Sequence, residues 1–211
     1  MFFQRKSVVI LGGGGHAKVV IELFEQSRRW KIVGYVCDSG SGPELFDYPC
    51  LGSDQVLPEL RKLGVRHAFV AVGDNRLRKS LFSRVTELGF EIPPAVSKAG
   101  HLSARACLGR GVAMMAGAVI QPGSWIGDGA IVNTGASVDH DCRIGPFAHV
   151  CPGARLAGGV QVGEGALVGT GSCLVPGVRV GAWAVVGAGA AVIRDVADGE
   201  KVAGVPARPL H

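Results

Sequence analysis

The chain has 211 residues, 47% hydrophobic and 18% charged, which suits one large or two small packed domains and excludes a disordered chain. A net charge of +5 favours phosphorylated ligands, but only 6% of residues are aromatic and no basic cluster is interleaved with them, so no nucleic-acid partner is expected. The six cysteines (Cys37, Cys50, Cys107, Cys142, Cys151, Cys173) form no C-x-x-C pair, which speaks against a metal site and for thiols in a reducing cytoplasm; no signal peptide or membrane-spanning run is expected.

Residues 1–91 read as alternating strand and helix, hence a parallel sheet in a small Rossmann-like α/β domain. Ser7–Leu11 is a short apolar strand. The loop Gly12-Gly13-Gly14-Gly15-His16-Ala17 follows, then a helix over 17–26 with Val19, Val20, Leu23 and Phe24 at helical spacing. Lys31–Cys37 alternates as a second strand and ends at Asp38. Ser53 and Asp54 are expected to cap a helix reaching Leu63. Ala68–Val72 is a third strand, and a helix is expected over Leu77–Leu88. The glycine loop fits G-x-G-x-x-A, a pattern in which backbone and a helix N-terminus approach phosphate closely, and this makes Gly12, Gly14, His16 and Asp38 candidate contacts. A domain this small lacks a full doubly wound sheet, so a nucleoside diphosphate fits it better than a dinucleotide. Ligands gather at carboxyl strand ends, which adds Gly73, Asp74, Asn75 and Arg78.

Residues 92–211 repeat. Every sixth residue from Val96 to Val192 is aliphatic, seventeen in a row, and a small or β-branched residue commonly sits two before it (Val112, Ala118, Ser124, Ala130, Ala136, Cys142). This is the hexapeptide pattern of a parallel β-helix, three hexads to a triangular coil, and it predicts five to six coils with no long interrupting loop. Three residues after each aliphatic position, from 111 to 189, eleven of fourteen positions are glycine, as a tight corner with positive φ requires. The exceptions are Asp141, Phe147 and Trp183.

A repeat that breaks its own rule marks candidate function. His140 directly precedes Asp141, and Asp tolerates a left-handed corner better than most residues. An outward imidazole beside a carboxylate is a candidate general base for removing a proton from an attacking nitrogen. Asn133 is placed to support that geometry by a hydrogen bond. His149, half a coil further on, faces outward on another side.

The stretches GGGGHAKVV, AVGDNRLRK, NTGASVDHDCRIGPFAHVCPGARLAGGV and VAGVPARPL resemble the NeuD/PglD-type sugar O- and N-acyltransferases along nearly the whole chain. The resemblance implies a left-handed β-helix and a homotrimer with active sites between subunits. It implies acetyl-CoA along the β-helix, contacted by His149, Gly158, Thr170 and Ala188. It implies His140 as catalytic base, with Asp141 and Asn133 assisting, no metal, and a nucleotide-linked sugar held by the N-terminal domain. The implied acceptor is the 4-amino group of a 4-amino-4,6-dideoxy sugar destined for surface glycans or protein glycosylation. Hydroxyl acetylation, as on sialic acid, and a non-catalytic trimeric scaffold are the alternatives.

Overall fold

A computed structural model describes residues 5–38 and 45–210. The chain divides into two compact units, Met1–Ala95 and Val96–His211.

In the first unit, β1 (Lys6–Leu11), β2 (Trp30–Val36) and β3 (His67–Val70) form a parallel sheet in the order β2-β1-β3. Helix α1 (Gly15–Glu25), which starts two residues earlier than expected, buries Ala17, Val20, Ile21, Leu23 and Phe24; of the four residues read at helical spacing, Val19 departs and is 39% exposed. The chain leaves β1 towards β2 on one side and returns to β3 on the other. The carboxyl ends of β1 and β3 therefore splay at a topological switch point, where open sheets hold ligands. The helix expected from Ser53 differs from expectation. Ser53 makes no side-chain cap bond, and a 3₁₀ turn (Asp54–Val56) precedes a short α2 (Leu57–Lys62). Pro58 is the physical reason: its fixed φ and missing N–H suit the first turn of a helix and not its interior. Helix α3 (Asn75–Glu87) starts two residues earlier than expected because the Asp74 carboxylate accepts from the Leu77 N–H at 2.8 Å.

In the second unit, a two-residue strand recurs every six residues from Ala95–Val96 to Ala191–Val192. Each central strand pairs in parallel with the one 18 residues on, as Ile131↔His149 and His149↔Leu167 do. The result is a left-handed parallel β-helix of about six turns. Its first face carries Ile131–Val132 and His149–Val150, its second Ser137–Val138 and Arg155–Leu156, its third Arg143–Ile144 and Gln161–Val162. The hexad positions from Met114 to Val192 are buried along with Ala118, Ala130, Ala136 and Ala148. The first coil departs from expectation: Leu102 is 36% exposed and Val96 and Leu108 are only partly buried. Within the prism that coil has a neighbouring coil on one side only.

All fourteen corner positions have positive φ, including the three non-glycines: Asp141 at 60°, Phe147 at 57° and Trp183 at 58°. An L residue in that conformation costs about 1–2 kcal/mol, so these three are tolerated against a local preference. Among the described residues no helix is long and apolar enough to cross a membrane.

Candidate active site

His140 and Asp141 occupy the corner between the second and third faces. On a straight strand neighbouring side chains diverge. The left-handed turn at Asp141 brings them together, with His140 Nδ1 2.9 Å from Asp141 Oδ2. The backbone of the corner is tied to the adjoining coils: Asp141 N donates to Pro122 O at 3.1 Å, and Gly159 N donates to His140 O at 2.9 Å. The His140 N–H donates to Asp139 Oδ1 at 2.8 Å. The imidazole, 63% exposed, lies over Gly158, where a Cβ would come within 2.5 Å of Cε1 and Nε2. Gly158 is thus kept small by the ring it supports. The hydrogen bond to Asp141 raises the His140 pKa above 6.5 against a smaller desolvation effect, and the charges of Asp139 and Asp141 add to the rise. With Nδ1–H donating to the carboxylate, the Nε2 lone pair is left to accept a proton. Asp139 is a contributor the sequence reading missed; an acidic residue on both sides of a histidine was the available signal.

Asn133 and His149 pair with each other. The Asn133 Oδ1 accepts from Thr134 N at 2.8 Å, which fixes the amide so that Nδ2 donates to His149 Nε2 at 3.0 Å. The expectation that Asn133 supports His140 is therefore not met within one chain. Seven residues exceed one six-residue face, so Asn133 lies at the corner between the first and second faces. Thr170 and Ala188, both exposed, lie at that same corner further along the prism, and Thr170 O accepts from Gly189 N at 2.8 Å. The β-helix candidates thus divide between two edges: His140, Asp141 and Gly158 on one, Asn133, His149, Thr170 and Ala188 on the other.

In the first unit a cavity of about 540 Å³ opens at the switch point. Gly12, Gly14, His16, Asp38 and Gly73 line it, together with Tyr35, Cys37, Asp54, Leu77 and Leu81. Gly12 has φ +124° and would place a Cβ 2.6 Å from Ala71 O, so the fold requires it. Around Gly14 and Gly15 a Cβ would meet nothing within 4 Å. Gly14 is the N-cap of α1 and contributes no side-chain bond. The first-turn N–H groups of α1 therefore have no side-chain cap there, an arrangement suited to an anion. His16 is pushed down to about 4, first by burial and then by the Arg78 charge, so it is neutral at physiological pH. Its Nε2 has no hydrogen-bond partner among the described residues.

Asp74, Asn75 and Arg78 do not line this cavity. Asp74 caps α3. Arg78 is 1% exposed, and its Nη1 donates to Val72 O and Gly73 O, both at 3.0 Å, while Nη2 donates to Asn75 Oδ1 at 2.7 Å. Burial pushes Arg78 down to about 10, with Asp74 opposing, so it remains charged at neutral pH. These residues brace the cavity loop from behind. Tyr35 was missed because a bulge between Val8 and Val9, opposite Gly34, resets the alternation of β2; a glycine inside a strand was the signal. Leu77 and Leu81, one helical turn apart, were legible as a face. Among the described residues no group of three or more His, Cys, Asp or Glu side chains is placed to hold a metal ion.

A hexad-built β-helix bearing a histidine–carboxylate pair at an open corner, joined to a small α/β unit with a glycine-lined cavity, defines an acetyltransferase of the hexapeptide-repeat class. Residues 7–85 match the PglD N-terminal domain. The crystal structure of PerB, the perosamine N-acetyltransferase of Caulobacter crescentus, in complex with CoA and GDP-perosamine, is 46% identical, covers 97% of each chain and superposes with a TM-score of 0.94. The acetyltransferase domain of PglB from Neisseria gonorrhoeae, in complex with acetyl coenzyme A, is 38% identical over 98% of this chain and 100% of that one, with a TM-score of 0.92. WeeI from Acinetobacter baumannii is 26% identical over 97% and 100%, with a TM-score of 0.84. No curated protein matches the chain. The chain belongs to the NeuD/PglD-type sugar acetyltransferase family.

Proposed function

We propose that the protein transfers the acetyl group of acetyl-CoA directly to the 4-amino group of a nucleotide-linked 4-amino-4,6-dideoxy sugar, with His140 as general base. The observation that carries this reading is the exposed His140–Asp141 pair, joined at 2.9 Å. Asp141 holds Nδ1–H, so Nε2 takes the proton as the amine nitrogen bonds to the thioester carbonyl carbon. The tetrahedral intermediate then collapses, the C–S bond breaks, and the proton passes to the departing thiolate. A general base contributes about 10²–10⁴-fold, a weight this one group can carry. Neutral His16, the uncapped start of α1 and the Asp38 rim suit the diphosphate and ribose of the sugar nucleotide. The full-length similarity to an enzyme crystallised with GDP-perosamine makes a GDP-linked amino sugar the first substrate to test.

The two groups of β-helix residues lie on different edges of one prism, and a homotrimer would bring the His140 edge of one chain to the His149 edge of the next. Acetyl-CoA would lie in that groove, against His149, Gly158, Thr170 and Ala188. The test is release of CoA thiol with GDP-, UDP- and dTDP-linked amino sugars and with sialic acid. Release with one class of amino-sugar nucleotide and N-acetylated product supports the proposal. Release only with sialic acid would point to O-acetylation, and no release from any would favour the scaffold.

A further inference from the structure

Most hexad corners close by a direct backbone bond from one N–H to the carbonyl three residues before. Ala130 N donates to Gly127 O, Ala136 N to Asn133 O, and Ala148 N to Gly145 O, at 3.0–3.2 Å. At the corner that carries His140 and Asp141 the equivalent groups are Cys142 N and Asp139 O. There a hydroxyl from the preceding coil stands between them. Ser124 Oγ accepts from Cys142 N at 3.1 Å and donates to Asp139 O at 2.6 Å. Ser124 is 1% exposed, inside the apolar prism, in a position that alanine fills at most other hexads.

We infer that Ser124 is a positioning residue for the His140–Asp141 pair: its buried hydroxyl ties the two flanks of the corner together from within and sets where the imidazole lies. The inference rests on the general-base reading of His140. Its physical argument is an account of the corner's polar groups. Asp139 N, His140 N, His140 O, Asp141 N and Cys142 N all have partners, and Ser124 supplies the partner at both flanks. Remove the hydroxyl, and Cys142 N and Asp139 O both lose their partner inside the prism. The unpaired groups loosen the turn and let His140 tilt away from Gly158 and Asp141. Cys142 repeats the device one coil on: its thiol donates to Ala157 O at 3.3 Å, beside the Gly158 on which the ring rests.

A control is built into the fold. Ser172 is equally buried and occupies the same kind of hexad position, but its Oγ donates to Gly169 O at 2.8 Å, at a corner without His140. The experiment compares Ser124→Ala, Ser124→Thr, Ser172→Ala and His140→Ala, each checked for its thermal midpoint. The readouts are kcat, KM for both substrates and the pH profile of kcat. Alanine fits the position, and threonine keeps the hydroxyl where the same column takes Val160 and Val178 further along. Ser124→Ala is expected to fold, to lose about tenfold in kcat with KM little changed, since small misplacement of a reacting group is costly, and to move the acid limb to lower pH as the bond to Asp141 weakens. Ser124→Thr restores both, and Ser172→Ala changes neither. A Ser124→Ala enzyme with unaltered kcat and pH profile, or one whose losses Ser172→Ala reproduces, overturns the inference. An active His140→Ala overturns the general-base reading instead.

Discussion

Glycine does two different jobs in the two units. At the β-helix corners eleven glycines hold φ between 62° and 76°, and most have open space where a side chain would go or a neighbouring coil to stack on. In the N-terminal loop four glycines run in succession, and only Gly12 has positive φ. Gly14 and Gly15 keep ordinary backbone angles and line the cavity at the head of α1. A corner glycine, like Gly12, is therefore demanded by the chain's own conformation, whereas Gly14 and Gly15 lie where the cavity opens and the backbone makes no such demand. Where the corner rule is broken at Asp141, conformational comfort has been given up for a side chain.

The sharpest way to break this contrast is at the broken corner. His140→Ala is expected to lose about 10²–10⁴-fold in kcat with its fold intact by circular dichroism. An unaltered turnover would mean the irregular corner serves only the backbone. Next in size, Ile144→Ala, at a fully buried hexad position beside that corner, is expected to cost about 2–5 kcal/mol in denaturant unfolding. Leu102→Ala, in the same pattern but in the exposed first coil, is expected to cost about 0.5 kcal/mol. Gly14→Ala, which the backbone accepts, is expected to raise KM for the sugar nucleotide about tenfold, a loss of about 1.4 kcal/mol in binding, with stability unchanged. Gly153→Ala, at φ 66°, reverses that outcome: it loses about 1–2 kcal/mol of stability and leaves KM alone. The smallest effect is on pH. Only neutral imidazole accepts a proton, and Asp141 raises the His140 pKa above 6.5, so kcat falls as pH drops through that raised value. Asp141→Asn removes the carboxylate, lowers the pKa and moves the acid limb to lower pH. A limb that stays in place would detach Asp141 from the base.

The β-helix was legible almost in full, because a six-residue period in one residue class leaves little freedom: the aliphatic column from Met114 to Val192 is buried as its spacing demands. The failures lie where periodicity says nothing. Leu102 obeys the pattern yet is exposed, since burial depends on a neighbouring coil as well as on spacing. Asn133 was assigned to His140 by proximity in sequence, whereas the prism turns it to a different edge and gives it His149. Arg78 carries a charge in the first turn of α3, after a strand end where ligands gather, but spends its donors on the backbone of residues 72 and 73 and on the Asn75 side chain. Ser124 reads as one more small core residue until its hydroxyl is seen to span residues 139 and 142.

The central claim is that a working site takes one edge from each of two chains. Co-assembly of His140→Ala chains with Asn133→Ala/His149→Ala chains, each crippled alone, tests it directly. If sites form between protomers, equal mixing regenerates about a quarter of them, each with an intact imidazole from one chain and an intact Asn133–His149 pair from its neighbour. Mixed assemblies no more active than either parent would place both edges in a single-chain site, or leave one of them outside the chemistry, and contradict the account.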